Sequence, residues 1–533
     1  MNISRRWVLA GAVALAATVS VLTGSAAAVG ASGAHRTPGA IVRTDSGPVR
    51  GTVLEGYRLF QGVPFAAPPV GALRWRPPQP PERWTKPRDA TRAGNRCAQG
   101  GTAGTPSSEE DCLYLNVTTP DSARPGRLRP VMVWLHGGGL AFGDASEIDP
   151  HRMAVTGDVV VVSVNFRLGL LGYFGHPSLA DSGGFGLEDQ QAALRWVRRN
   201  AAAFSGDPRN VTLFGQSGGA YGVCAQLTSP GSRGLFHRAI MQTGSCTAGW
   251  PRHGVFFGIP AGTPWIPLSR AHANGVALAN ELGCTDPATA VDCLRRVPAA
   301  DLLAGGRGDR LAEVAFGNGV LPLRPQRALA TGRFHRVPVI SGNTRDEVRL
   351  SIPSFPQPFT EEQYQRLLVE SFGDQAPRVA AQYASSGQGS AALAWAAVAT
   401  DRVWVCSQLG DERRLTRWTP TFGYEFADRQ APPLFPVPFP PDAPPGASHG
   451  SELAYLFDLV GLPPVQLTPA QHELAAQMIG YWTRFAATGD PNGPDLPRWS
   501  RFRHSAVQAL APGAIQPVNL DAEHRCGFWA TVR

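Results

Sequence analysis

The chain has 533 residues, of which 43% are hydrophobic and 17% charged, a balance that excludes a disordered chain and allows a large buried core. The net charge of +8 comes almost wholly from arginine, the only lysine being Lys86. These cations are scattered, with no dense run and no interleaved aromatic stripe, which argues against nucleic acid as a partner.

Arg5 and Arg6 precede an apolar run from Trp7 to Leu22, and Ala26-Ala-Ala28 offers small residues for cleavage. Residues 1–28 therefore read as a secretory signal peptide, which places the mature protein outside the cell with no stable membrane anchor. Ser4-Arg-Arg-Trp-Val-Leu9 also fits a twin-arginine signal, the alternative being two ordinary arginines in a general one. Residues 29–40 read as a loose linker, and 41–533 as a single domain. Export makes eight cysteines a disulfide framework, since none has the paired spacing of a zinc site. Spacing alone does not fix which cysteines pair.

From Ile41 to Phe65 short strand-like pieces alternate with glycine turns, and Pro64 to Trp84 is too proline-rich to be regular. Leu113–Thr118 alternates as a strand. Pro130-Val-Met-Val-Trp-Leu135 and Asp158–Asn165 are nearly continuous apolar runs, as buried strands require. Residues 187–203 have helical apolar spacing. Val211–Phe214 is a strand leading into Gly215-Gln-Ser217-Gly-Gly219 and a helix. His237–Gln242 is the next strand, 269–283 and 287–304 are expected helices, and Val337–Gly342 is a strand. Residues 360–400 are mainly helical, Thr421–Phe426 is a strand, 430–448 a proline-rich loop, and 468–488 an amphipathic helix. Buried strands separated by helices imply an α/β fold with a large, mostly parallel sheet covered on both faces.

The strand, glycine-flanked serine and helix around Ser217 match the turn that raises a nucleophilic hydroxyl. A second match, Gly446-Ala-Ser448-His-Gly450, follows a loop and starts no helix. A serine needs a base, and the base needs an acid to hold its tautomer. Among the late histidines, His449 has the best setting, in a loop after a strand. His472 reads as solvated, and His504 and His524 lie in the tail among arginines. For the acid, Asp346 and Glu347 both follow the 337–342 strand, and position does not separate them; Glu425 and Asp428 are weaker. His136-Gly-Gly-Gly139 at the end of a buried strand, with the N–H of Gly218, suits an oxyanion. His136 itself reads as a packed structural residue.

These motifs carry a family likeness. The chain resembles the type-B carboxylesterases of the α/β-hydrolase superfamily, the group that also holds the cholinesterases, from about Ile41 to Trp529. The matching residues include Phe60–Gly71, Arg74-Trp-Arg76, Glu110–Asn116, Trp134–Gly139, Asn165–Leu168, Gly186–Gln190, Phe214–Gly219, Asn343–Glu347 and Ser448–Gly450. The resemblance implies an α/β-hydrolase fold and ester hydrolysis with Ser217 as nucleophile, Glu347 as acid and His449 as base. It implies Gly138, Gly139 and Gly218 as oxyanion donors, and Arg74–Glu110 and Arg167–Asp189 as structural ion pairs. It implies disulfides Cys97–Cys112, Cys284–Cys293 and Cys406–Cys526, which leaves Cys224 and Cys246 as a guessed pair. No metal or cofactor is required; the expected partner is a small-molecule ester, and oligomeric state is unreadable. Two departures from cholinesterases stand against choline esters: Gln216 replaces an acid before the nucleophile, and Ala98–Asp111 has no tryptophan face for a cation. The rival readings are a lipase acting on longer acylglycerols and a non-catalytic binding module, which would need a broken triad.

Overall fold

Strands that are apolar at every position need cover on both faces, because successive side chains point to opposite sides. A computed structural model describing residues 37–101, 104–122 and 126–532 provides that cover. The expected signal peptide lies outside the described residues. The sheet strands are β1 (Thr37–Arg43), β2 (Pro48–Leu54), β3 (Tyr57–Pro64), β4 (Tyr114–Pro120), β5 (Arg129–Leu135), β6 (Val160–Val164) and β7 (Gly206–Gln216). They continue with β8 (Arg238–Gln242), β9 (Val339–Thr344), β10 (Thr421–Phe426), β11 (Ala506–Leu510) and β12 (Gln516–Asn519). Their spatial order is β1-β2-β3-β4-β6-β5-β7-β8-β9-β10-β11-β12 in a 13-stranded sheet, with Arg88–Asp89 added beside β2.

The run from β6 through β11 is parallel throughout. Antiparallel strands finish both edges. This is the mostly parallel α/β architecture expected. Side-chain alternation divides the core in two. Val131, Val133, Leu135, Val160, Val162 and Leu213 pack on one face with helices α1 (Phe185–Asn200) and α2 (Gly218–Thr228). Met132, Trp134, Val161, Phe214 and Ile240 pack on the other.

Two expectations need correction. The linker expected over 29–40 overlaps β1, which begins at Thr37, whose backbone pairs with Val53 of β2. Short polar and small residues read as loop, yet an adjacent strand offers their N–H and C=O groups ladder partners. The helix expected over 287–304 is two helices. After α3 (Leu268–Glu281) come α4 (Ala290–Arg296) and α5 (Ala299–Leu303), parted at Pro298. Proline forces the preceding Val297 to extended backbone, ψ 128°, and removes a helical donor. The helix expected over 468–488 is α6 (Pro469–Thr488). Thr468 caps it reciprocally with Gln471, proline occupies its first turn, and Gly489 ends it at φ +84°. Its Leu474, Met478, Trp482 and Phe485 fill the second core. Among the described residues no helix is long and apolar enough to cross a membrane.

Candidate active site

β7 ends at Gln216 and α2 starts at Gly218, so Ser217 alone makes the turn, with φ +55° and ψ −120°. A side chain in that region costs on the order of 1–3 kcal/mol, which the surroundings must offset. They do so by fixing both sides of the turn. Ser217 N donates to Gln242 O of β8 at 2.9 Å. A Cβ on Gly219 would lie 2.0 Å from Leu135 O, and one on Gly215 2.7 Å from Gly219 C. Only glycine lets β5, β7 and α2 approach this closely.

Glu347 lies three residues past the end of β9 and is buried. Its Oε1 accepts from Thr344 N at 2.6 Å and Thr243 Oγ1 at 2.9 Å, and its Oε2 meets His449 Nδ1 at 2.6 Å. His449 N also donates to Glu347 O at 3.2 Å. Burial opposes charge on the imidazole, but the Glu347 carboxylate and its hydrogen bond, with Glu452 behind them, hold its pKa above the ordinary histidine range. Asp346, the rival by position, turns away. Its carboxylate accepts from Arg429 at 3.0 and 3.1 Å and from Ala447 N at 3.2 Å. Glu425 meets His524, and Asp428 meets Tyr455 and Gln471.

The glycine turn sits across from the serine. Gly138 and Gly139 have φ +92° and +61°, and Ala141 N and Phe142 N both donate to Gly138 O. A Cβ on Gly218 would fall 2.6 Å from Gly139 N, so these backbones touch. Gly218 N–H, first in α2, has no intrahelical acceptor. His136 is buried, stacked 4.5 Å from Phe166, and burial lowers its pKa to about 4. Arg167 meets Asp189 through 2.7 and 2.8 Å contacts. Arg74 grips Glu110 from Nε at 2.6 Å and also donates to Leu294 O and Val297 O. None of these four residues lines the cavity that Ser217 faces.

Ser217, His449, Glu347, Gly138 and Gly139 line one cavity of about 340 Å³. Its other walls are mainly apolar and include Trp250, Phe256, Leu350, Trp404, Leu434 and Val460. Trp250 and Phe256 come from the loop after β8, and Leu350 from the segment after β9. Several features escaped sequence reasoning. Trp404 packs 4.9 Å from the His449 ring, and Gln216 Nε2 lies 3.3 Å from His449 Nε2. Glu452, buried three residues after His449, is pushed up to about 7 by burial and by Glu347. Only the last carried a signal, a carboxylate one helical turn from the candidate base. Among the described residues no group of three or more His, Cys, Asp or Glu could hold a metal ion.

The eight cysteines form four disulfides: Cys97–Cys112, Cys224–Cys246, Cys284–Cys293 and Cys406–Cys526. Cys224–Cys246 ties α2 to the loop after β8.

A family model described as the carboxylesterase family matches residues 38–529. The chain is 33% identical to a human protein named cocaine esterase, over 91% of this chain and 90% of that one. It is 32% identical to para-nitrobenzyl esterase of Bacillus subtilis (strain 168), over 88% and 94%. It is also 32% identical to a mouse acylcarnitine hydrolase, over 87% and 86%.

Proposed function

Since the chain belongs to the carboxylesterase family and is a carboxylic ester hydrolase, we propose that it works through an acyl-enzyme formed on Ser217, with His449 as base and Glu347 as its acid partner. The observation that carries this reading is the 2.6 Å bond from Glu347 to His449 Nδ1, on the wall of the cavity that also holds the strained Ser217. Held at Nδ1, the imidazole presents Nε2 to the cavity. Nε2 takes the proton from Ser217 Oγ as the oxygen attacks the ester carbonyl. The N–H groups of Gly138, Gly139 and Gly218 stabilise the oxyanion. His449 then gives its proton to the leaving alcohol, and the acyl group remains on Ser217. Water, deprotonated by His449, attacks the acyl carbon, releases the carboxylic acid and returns the proton to Ser217.

A fluorophosphonate probe is expected to label the protein at Ser217, and Ser217→Ala to abolish both labelling and p-nitrophenyl acetate hydrolysis. Labelling that survives the substitution would overturn the assignment.

The neutral Gln216 beside His449 supports uncharged esters over choline esters. One observation favours the lipase reading as second choice: Phe256, Phe435 and Val460, at the cavity, are 40%, 37% and 53% exposed. An apolar rim of this kind would contact a long acyl chain or a lipid surface. A series of p-nitrophenyl esters separates the two. Rates peaking at two to four carbons mark an esterase, whereas a rise once long-chain substrate aggregates marks a lipase.

We also read the protein as exported, as one hydrolase domain after signal removal. The leader-like N-terminus and four disulfides support this. The mass of protein recovered from culture medium should place its N-terminus near Ala28; an intact Met1 would sink the reading.

A further inference from the structure

We propose a second ligand site in this protein, for a small anion bearing a phosphate or carboxylate group, in an arginine-lined cavity behind the Glu347–His449 pair. This cavity measures about 310 Å³. Arg345, Arg349, Arg429, Arg525 and His524 face it, against the carboxylates of Asp346, Asp401 and Glu523. His524 is a cation here, because Asp401 and Glu425 meet its two ring nitrogens at 2.6 and 2.5 Å. Even with Glu425 counted as a fourth acid, the positive charges outnumber the negative ones.

The ion pairs leave guanidinium donors over. Arg429 uses Nε and one terminal nitrogen on Asp346, and its side chain is 57% exposed. Arg525 comes no closer than 3.9 Å to Asp401 and lies over the Tyr383 ring at 4.7 Å. Each guanidinium carries five N–H groups in a planar fork suited to carboxylate or phosphate oxygens. A purely structural salt-bridge lattice would close around its charges. This one surrounds open volume, and Leu393, Ala396 and Ala397 give it an apolar wall for the body of an organic anion.

The site backs directly onto the other cavity. Residues 345–351 and 400–404 supply walls to both: Glu347, Val348, Leu350 and Trp404 to one, Arg345, Asp346, Arg349 and Asp401 to the other. Asp346 is the link. Its carboxylate holds Arg349 and Arg429 and also accepts from Ala447 N, two residues before His449, so Arg429 is the more exposed half of a two-arginine clamp. An anion that draws Arg429 from Asp346 slackens that clamp on the histidine loop, so occupancy lowers kcat and leaves KM unchanged.

Calorimetric titration of the full chain with inorganic phosphate, and separately with acetate, tests the site at constant ionic strength set by sodium chloride. Saturable binding is expected, weakened about tenfold or more in Arg429→Gln and in Arg525→Gln. Ala397→Leu, which fills the cavity without changing charge, should weaken it as well, and thermal melts establish that each variant is folded. Binding is read without any ester, so its outcome is independent of the role given to Ser217. Absence of saturable heat, or equal binding by all variants, overturns the site. Inhibition that chloride reproduces, or that raises KM alone, overturns the coupling.

Discussion

His449 takes its properties from what touches it. Burial alone would lower its basicity, but Glu347 at 2.6 Å and Glu452 beyond reverse the sign. In the proposed mechanism His449 must be unprotonated to accept the proton of Ser217, so activity is expected to fall as pH drops through its raised pKa. The acid limb of kcat/KM should therefore lie above the roughly 6.5 of a free imidazole. Glu347→Gln removes the charge that raises it. We expect the limb to move to lower pH and kcat to fall on the order of 10³-fold or more. A pH–rate profile of the two proteins checks both. The choice between Asp346 and Glu347 is made at this scale too. Adjacent residues beyond a strand point different ways, and only one of them faces the histidine.

The strand–serine–helix element depends on contact between backbones. β5, β7 and α2 meet where Gly215, Gly218 and Gly219 have no side chain, and Leu135 O occupies the space a Gly219 Cβ would need. Leu135 belongs to the sheet and has little room to retreat. Gly219→Ala should cost about 3 kcal/mol, the upper range for overpacking, and displace Ser217 as well. A denaturant titration beside an activity assay would register both; an unchanged midpoint would contradict the close approach. Elements with strong local signals were legible beforehand. α6 has its cap, its proline and its terminal glycine in the sequence, and the apolar runs of β5 and β6 admit little besides buried strands. The break at Pro298 was also in the sequence, but the apolar spacing across it masked the proline.

At the scale of the whole molecule, the C-terminal segment is tied back to the sheet. The Cys406–Cys526 bond joins residues 120 apart, and beside it His524 sits between Asp401 and Glu425, the latter on β10. Burial disfavours the imidazolium, yet two carboxylate hydrogen bonds raise its pKa to about 10. Its unfolded pKa is near 6.5, so its contribution to stability is complete below about pH 6.5 and disappears as pH rises through about 10. Melting temperature should decline across that alkaline range in the native protein. His524→Gln should flatten the decline, which parallel melts from pH 6 to 10 would test.

The parallel α/β plan, the serine turn, the glycine-rich stretch after β5 and the family are all legible in the sequence. Each of these rests on local physics: the alternation of side chains along a strand, the φ that glycine permits, the donor that proline lacks. Tertiary structure alone decided the pairing of Cys224 with Cys246, the contacts of Gln216 and Trp404 with His449, and the burial of His524, which in the sequence is only a tail residue among arginines. These depend on which distant segments the sheet order brings together. A side chain's charge and reach are written in its own residue type, but its partner is not.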